Sequence, residues 1–193
     1  DLMLAWTLAI TLWVVVARFA PLTLLWLLLL QVTIGLYFEE KLHIYSELPI
    51  YFVITCANLL VLTLPNLLSK MSVHLTTPRW FRLLISLVCS YYMVAGFSIG
   101  LEKTDSPFFI PQVVISIVVL WYLVRNGFIN REVELLAIAS LSAIAIVCAV
   151  IIIKIDEGEA GLISVTLLVL SSVVYLTKRL LSLNKNWNEE PQS

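Results

Sequence analysis

Residues 133–153 read VELLAIASLSAIAIVCAVIII, apolar but for Glu134 and two serines, with Arg131-Glu132 before the run and Lys154 after it. In lipid a backbone must close its own hydrogen bonds, so a continuous apolar run of this length is a helix and not a strand. Six further runs of the same kind occupy residues 2–17, 19–38, 48–64, 80–101, 108–124 and 161–177. The expected fold is therefore an all-α membrane protein of about seven transmembrane helices. One helical bundle covers residues 1–181, and a polar tail, 182–193, is expected to fray.

The run at 2–17 is the shortest. Its sixteen residues cover about 24 Å at the helical rise, against a hydrocarbon thickness of about 30 Å. It is completed by upstream residues or packs as a short helix. The abrupt start at Asp1, without a basic leader, reads as part of a longer chain and not as a signal peptide. Only Arg18 separates this run from the next, so the two form a tight antiparallel hairpin. Pro21, Pro49 and Pro111 fall in first turns, where a missing N–H costs little. Pro65 is expected to end the third span.

Composition agrees with a lipid environment. Apolar residues make up 61% of the 193 residues and charged residues 13%, against roughly 45–50% and about 25% in soluble domains. A net charge of −1 supplies no basic stripe for phosphates, which argues against nucleic acid as a partner. Cys56, Cys89 and Cys148 each lie inside an apolar run and read as small hydrophobes without disulfide partners.

Charge also sets an orientation. Nine of the twelve Lys and Arg residues fall on one set of alternate connections: Arg18; Lys70, Arg79 and Arg82; Arg125 and Arg131; Lys178, Arg179 and Lys185. Lys41, Lys103 and Lys154 share the other set with nine of the thirteen acids. Basic residues are retained on the cytoplasmic side, so the C-terminus is expected inside and Asp1 outside. Trp80-Phe81 and Trp121-Tyr122 then lie near the inner border, with Tyr37-Phe38, Tyr51-Phe52 and Phe108-Phe109 near the outer one.

Ionisable residues at mid-span mark ion pathways, and these spans hold almost none. Glu132 and Glu134 fall at the start of the sixth helix, where its dipole favours them, and Lys154 at its end can snorkel. The principal mid-span polar groups are Gln31 and Asn58, read first as interhelical hydrogen-bonding residues and second as substrate contacts. His43 and His74 fall on opposite sides and cannot share a metal. The acidic turn Asp156-Glu157-Gly158-Glu159 lacks the spacing of a calcium loop. A retinal protein requires a lysine in the middle of its last helix, whereas Lys178 falls at the end of the span at 161–177. No catalytic, cofactor or metal constellation is visible.

Small residues point to helix packing. Ala139 and Ala143, Ala145 and Ala149, and Gly96 and Gly100 are each four apart, a spacing that lets helix backbones approach closely. The sixth helix is expected to be central.

The stretch DLMLAWTLAITLWVVVARFAPLTLLWLLLLQVTIGLYF resembles the hairpin of a bacterial family of inner-membrane proteins, the "domain of unknown function 2157" family. The residues that carry the likeness are Asp1, Trp6, Arg18, Phe19, Pro21, Leu22, Trp26, Leu36 and Tyr37. Asp156-Glu157-Gly158 followed by a last span and Lys178-Arg179 is similar as well. The resemblance implies a bacterial inner membrane and further N-terminal sequence. It also implies a partner, since members are sometimes encoded beside another membrane protein; it supplies no catalytic residue. The expected role is a structural or partner-binding component without an enzyme activity, its partner another membrane protein or a second copy of itself. The alternative is a transporter or channel subunit for a neutral or apolar small solute.

Overall fold

The computed structural model describes residues 2–17, 19–40, 47–69, 78–154 and 159–189. Their regular structure is helical: α1 (Leu2–Ala17), α2 (Ala20–Glu40), α3 (Glu47–Ser69), α4 (Arg79–Glu102), α5 (Phe109–Ile129), α6 (Val133–Lys154) and α7 (Glu159–Glu189). Among the described residues, six helices are long and apolar enough to cross a membrane, as a multipass membrane protein requires. The exception is α1, whose sixteen residues fall below that length. The alternation of charge around α2–α7 does not depend on it. Arg18, Lys41, His43, Lys70, His74 and the turn at 156–158 lie outside the described residues.

Three helices outrun the apolar runs that predict them. α3 continues through Pro65 to Ser69, so this proline does not end it. α5 passes Val124 and reaches Ile129. Arg125 does not stop it because the guanidinium carbon lies 5.0 Å from the Trp121 ring centroid, one turn back. Asn126 likewise donates to the Tyr122 carbonyl at 2.8 Å.

α7 extends furthest, to Glu189, through most of the segment expected to fray. Lys185 and Glu189 pair at 3.7 Å across one turn. The Phe128 and Trp187 rings meet edge to face at 6.3 Å, fixing the end of α7 beside the end of α5. Among the described residues the apolar window of α7 is Val165–Trp187, which overlaps the expected run at 161–177. Lys178 and Arg179 fall inside that window, and Arg179 Nη1 donates to the Tyr175 hydroxyl, one turn back, at 3.0 Å. Lys178 is thus not at the helix end, but its side chain is exposed and faces no core.

The helices form two compact units, Asp1–Tyr92 and Met93–Ser193, with the division inside α4. In the first unit, α1 and α2 make the expected hairpin. Trp26 donates its indole N–H to Thr11 Oγ1 at 2.8 Å, and the Thr7 and Thr33 hydroxyls meet at 2.8 Å. The core of this unit is Leu48, Ile54, Leu62, Phe81, Ile85 and Cys89. α3 and the first half of α4 run antiparallel: Tyr51 stacks on Tyr92 at 5.8 Å, and Cys89 Sγ lies 3.9 Å from the Thr55 carbonyl.

In the second unit, α6 packs against both α5 and α7. The α5–α6 corner takes three residues. Arg131 adopts a left-handed φ of 53°. The Glu132 N–H reaches back to the Gly127 carbonyl at 2.9 Å, and the Arg131 N–H to the Phe128 carbonyl at 3.4 Å. This is a Schellman ending, with arginine where glycine is usual. It brings Gly127 against Leu136, and a Cβ built on that glycine would lie 2.8 Å from Leu136 Cγ and Cδ2.

Candidate functional site

Mid-membrane polar groups need partners, because lipid offers none. In the first unit they collect where α2, α3 and α4 face inward. Gln31 and Asn58 are 6% and 0% exposed, and Gln31 Nε2 donates to Asn58 Oδ1 at 3.1 Å. Asn58 Nδ2 in turn donates to the Ile54 carbonyl, one turn back, at 2.8 Å. The pair that sequence alone singles out is therefore one interhelical tie, anchored to a backbone.

The α3–α4 register extends this layer. Thr55 is level with Cys89 and Tyr51 with Tyr92, so one turn the other way sets Asn58 level with Ser86. Ser86 is 1% and Ser90 5% exposed, and neither hydroxyl has a hydrogen-bond partner among the described residues. A serine inside a helix ordinarily donates to the carbonyl one turn back. Thr55 does so to Tyr51 at 2.7 Å, and Ser98 to Val94 at 2.9 Å. Ser86 and Ser90 do not, although both are buried, and the register sets Ser86 level with the Gln31–Asn58 tie.

A second buried amide lies in the other unit. Gln112 is fully buried on α5 and donates Nε2 to the Met93 carbonyl at 3.3 Å, while its backbone carbonyl accepts the Ser116 hydroxyl at 2.7 Å. Gln112 Oε1 has no partner among the described residues. Gln112, Ser86 and Ser90 are the polar positions that the sequence reading passed over. For Gln112 the signal was periodicity: Gln112, Ser116, Val119, Leu123 and Gly127 recur at three and four residues and form one buried stripe.

The small residues are distributed unevenly. Gly96, Gly100 and Ala139 are buried, whereas Ala143, Ala145 and Ala149 are half-buried. Among the described residues no three His, Cys, Asp or Glu side chains gather as metal ligands would. Cys89 and Cys148 are buried free thiols, and Cys56 is half-buried. Such an arrangement can hold helices in register and offer hydrogen bonds to a small neutral guest. Compared with known protein families, curated proteins and solved structures, the chain matches none.

Proposed function

We propose that the chain is a multipass component of a bacterial inner membrane, with its N-terminus outside and its C-terminus cytoplasmic. Its role is structural or partner-binding, not catalytic. The observation that carries this reading is the outward side of α7. Ile163, Leu167, Leu170, Val174 and Leu181 are all exposed, and they follow steps of four, three, four and seven residues. That is the seam with which one helix packs along another. The opposite side, with Leu168, Ser172, Leu176 and Leu180, is more covered, and α7 packs there against α6. Among the described residues of α7 none is buried. The resemblance to the family named above supports the choice of membrane and a membrane-protein partner or a second copy.

Copurification from mild detergent and cross-linking through cysteines placed at Leu170 and Val174 test the reading. A partner band or a dimer is expected; a chain that remains alone at every concentration, in lipid as in detergent, would count against it.

One observation favours a second reading, a path for a small neutral solute. The Ser86 and Ser90 hydroxyls have no partner among the described residues, and the α3–α4 register sets Ser86 level with Asn58, which bonds Gln31. Solute flux into reconstituted liposomes that falls on changing Asn58 or Ser86 would favour it.

A further inference from the structure

On the outer side of α5, Ile117, Leu120, Trp121, Val124 and Arg125 line a shallow, open groove of about 490 Å³. Ile117, Trp121 and Val124 are exposed, so the groove opens away from the core of its unit. Its walls are hydrocarbon along their length, and its one charge stands at the end. The Arg125 guanidinium carbon lies 5.0 Å from the Trp121 ring centroid, an arrangement that holds the cation along the helix. α5 contains no acidic residue, and Arg125 makes no ion pair among the described residues. Lys185, by contrast, is paired with Glu189.

An arginine without a counter-ion among the described residues, at the end of an apolar groove and at a membrane border, suits an anion that carries its own hydrocarbon. From Ile117 to Arg125 the helix rises about 12 Å, close to the depth of one leaflet, about 15 Å. We propose that this face binds one anionic phospholipid, with its phosphate on Arg125 and one acyl chain along Val124, Leu120 and Ile117. The guanidinium fork matches two phosphate oxygens. A zwitterionic lipid brings a cation of its own to the same place and gains less. A free phosphate has no chain for the groove. The inference does not depend on the proposed role of α7.

The test is native mass spectrometry of the full chain released from bilayers of equal parts phosphatidylglycerol and phosphatidylcholine. One phosphatidylglycerol is expected to stay bound, favoured about fivefold over phosphatidylcholine, the usual effect of one basic side chain near a membrane surface. Arg125→Gln should bring the ratio to about one, while Arg125→Lys keeps part of the preference. Leu120→Trp fills the groove with Arg125 intact and should also reduce retention. Lys103→Gln, at the other end of the span, should leave the ratio unchanged. Equal retention of both lipids by the unaltered chain, an unchanged preference in Arg125→Gln, or displacement of the lipid by millimolar inorganic phosphate would each overturn the proposal.

Discussion

Replacing Gly127 by alanine sets two opposing effects against each other at one atom. The added Cβ would lie 2.8 Å from Leu136 Cγ and Cδ2 and 3.3 Å from the Leu136 backbone nitrogen. Ordinary carbon contacts fall at about 3.5–4.0 Å, so the new methyl is about 0.7–1.2 Å too close. Leu136 is itself buried, and overpacking of this kind costs about 1–3 kcal/mol. Against it stands the helix preference for alanine over glycine, about 0.8–1 kcal/mol. The steric effect wins, and a net loss of about 1 kcal/mol is expected. Denaturing-detergent titration of the protein in mild micelles, followed by far-ultraviolet circular dichroism, measures it. Leu136→Ala removes the two close side-chain carbons, so Gly127→Ala should cost less in that background. The coupling should be about 1 kcal/mol or more, in the relieving direction. If Gly127→Ala stabilises the protein and shows no coupling to position 136, the close approach of α5 and α6 at this corner is refuted.

The same titration reaches other parts of the fold. Asn58→Leu strands Gln31 and should cost about 0.6–1.7 kcal/mol, the range for hydrogen bonds between membrane helices, while adding Gln31→Leu recovers much of it; strictly additive losses would show that the 3.1 Å tie contributes nothing. Arg131→Gly should stabilise the corner by about 1 kcal/mol, since a left-handed φ of 53° is strained for arginine; a loss would mean that its side-chain contacts outweigh the backbone. Trp187→Ala removes the edge-to-face contact with Phe128 and should free the end of α7 to fray, seen as faster amide exchange over residues 180–189; unchanged exchange would show that the α7 end is held by other contacts. For orientation, an impermeant amine reagent applied to intact cells should modify Lys41 and Lys103 and spare Lys70 and Lys185, and the reverse pattern would invert the proposed topology.

The existence of each helix was legible because apolar runs bounded by charge leave lipid-spanning helices as the only solution. Their ends were less so. Arg125 and Pro65 look like stop signals, yet a cation can lie over the ring one turn back, and a proline can remain within a helix whose neighbours satisfy the backbone. The extension of α7 past 177 was hidden for a related reason. Lys178, Arg179 and Lys185 make the segment read as solvated tail, while its helical state is supported by Lys185–Glu189 and by Trp187 on Phe128, a partner distant in sequence. Gln31 and Asn58 were visible as isolated amides in apolar surroundings. That they bond to each other depends on the packing of α2 on α3, which no local pattern encodes. Ser86 and Ser90 escaped notice because serine is common in membrane helices, and only their burial without a partner distinguishes them.

The threonine and tryptophan ties of α1 bear on how this protein is made. A helix gains from entering lipid alone only what its own apolar side chains supply, because lipid offers its polar groups no partner. Thr7, Thr11, Thr33 and Trp26 give it hydrogen bonds that exist only once the next helix lies alongside. The hairpin is thus worth more to the bilayer than its two arms inserted separately, and elongation through the second arm is what completes that gain.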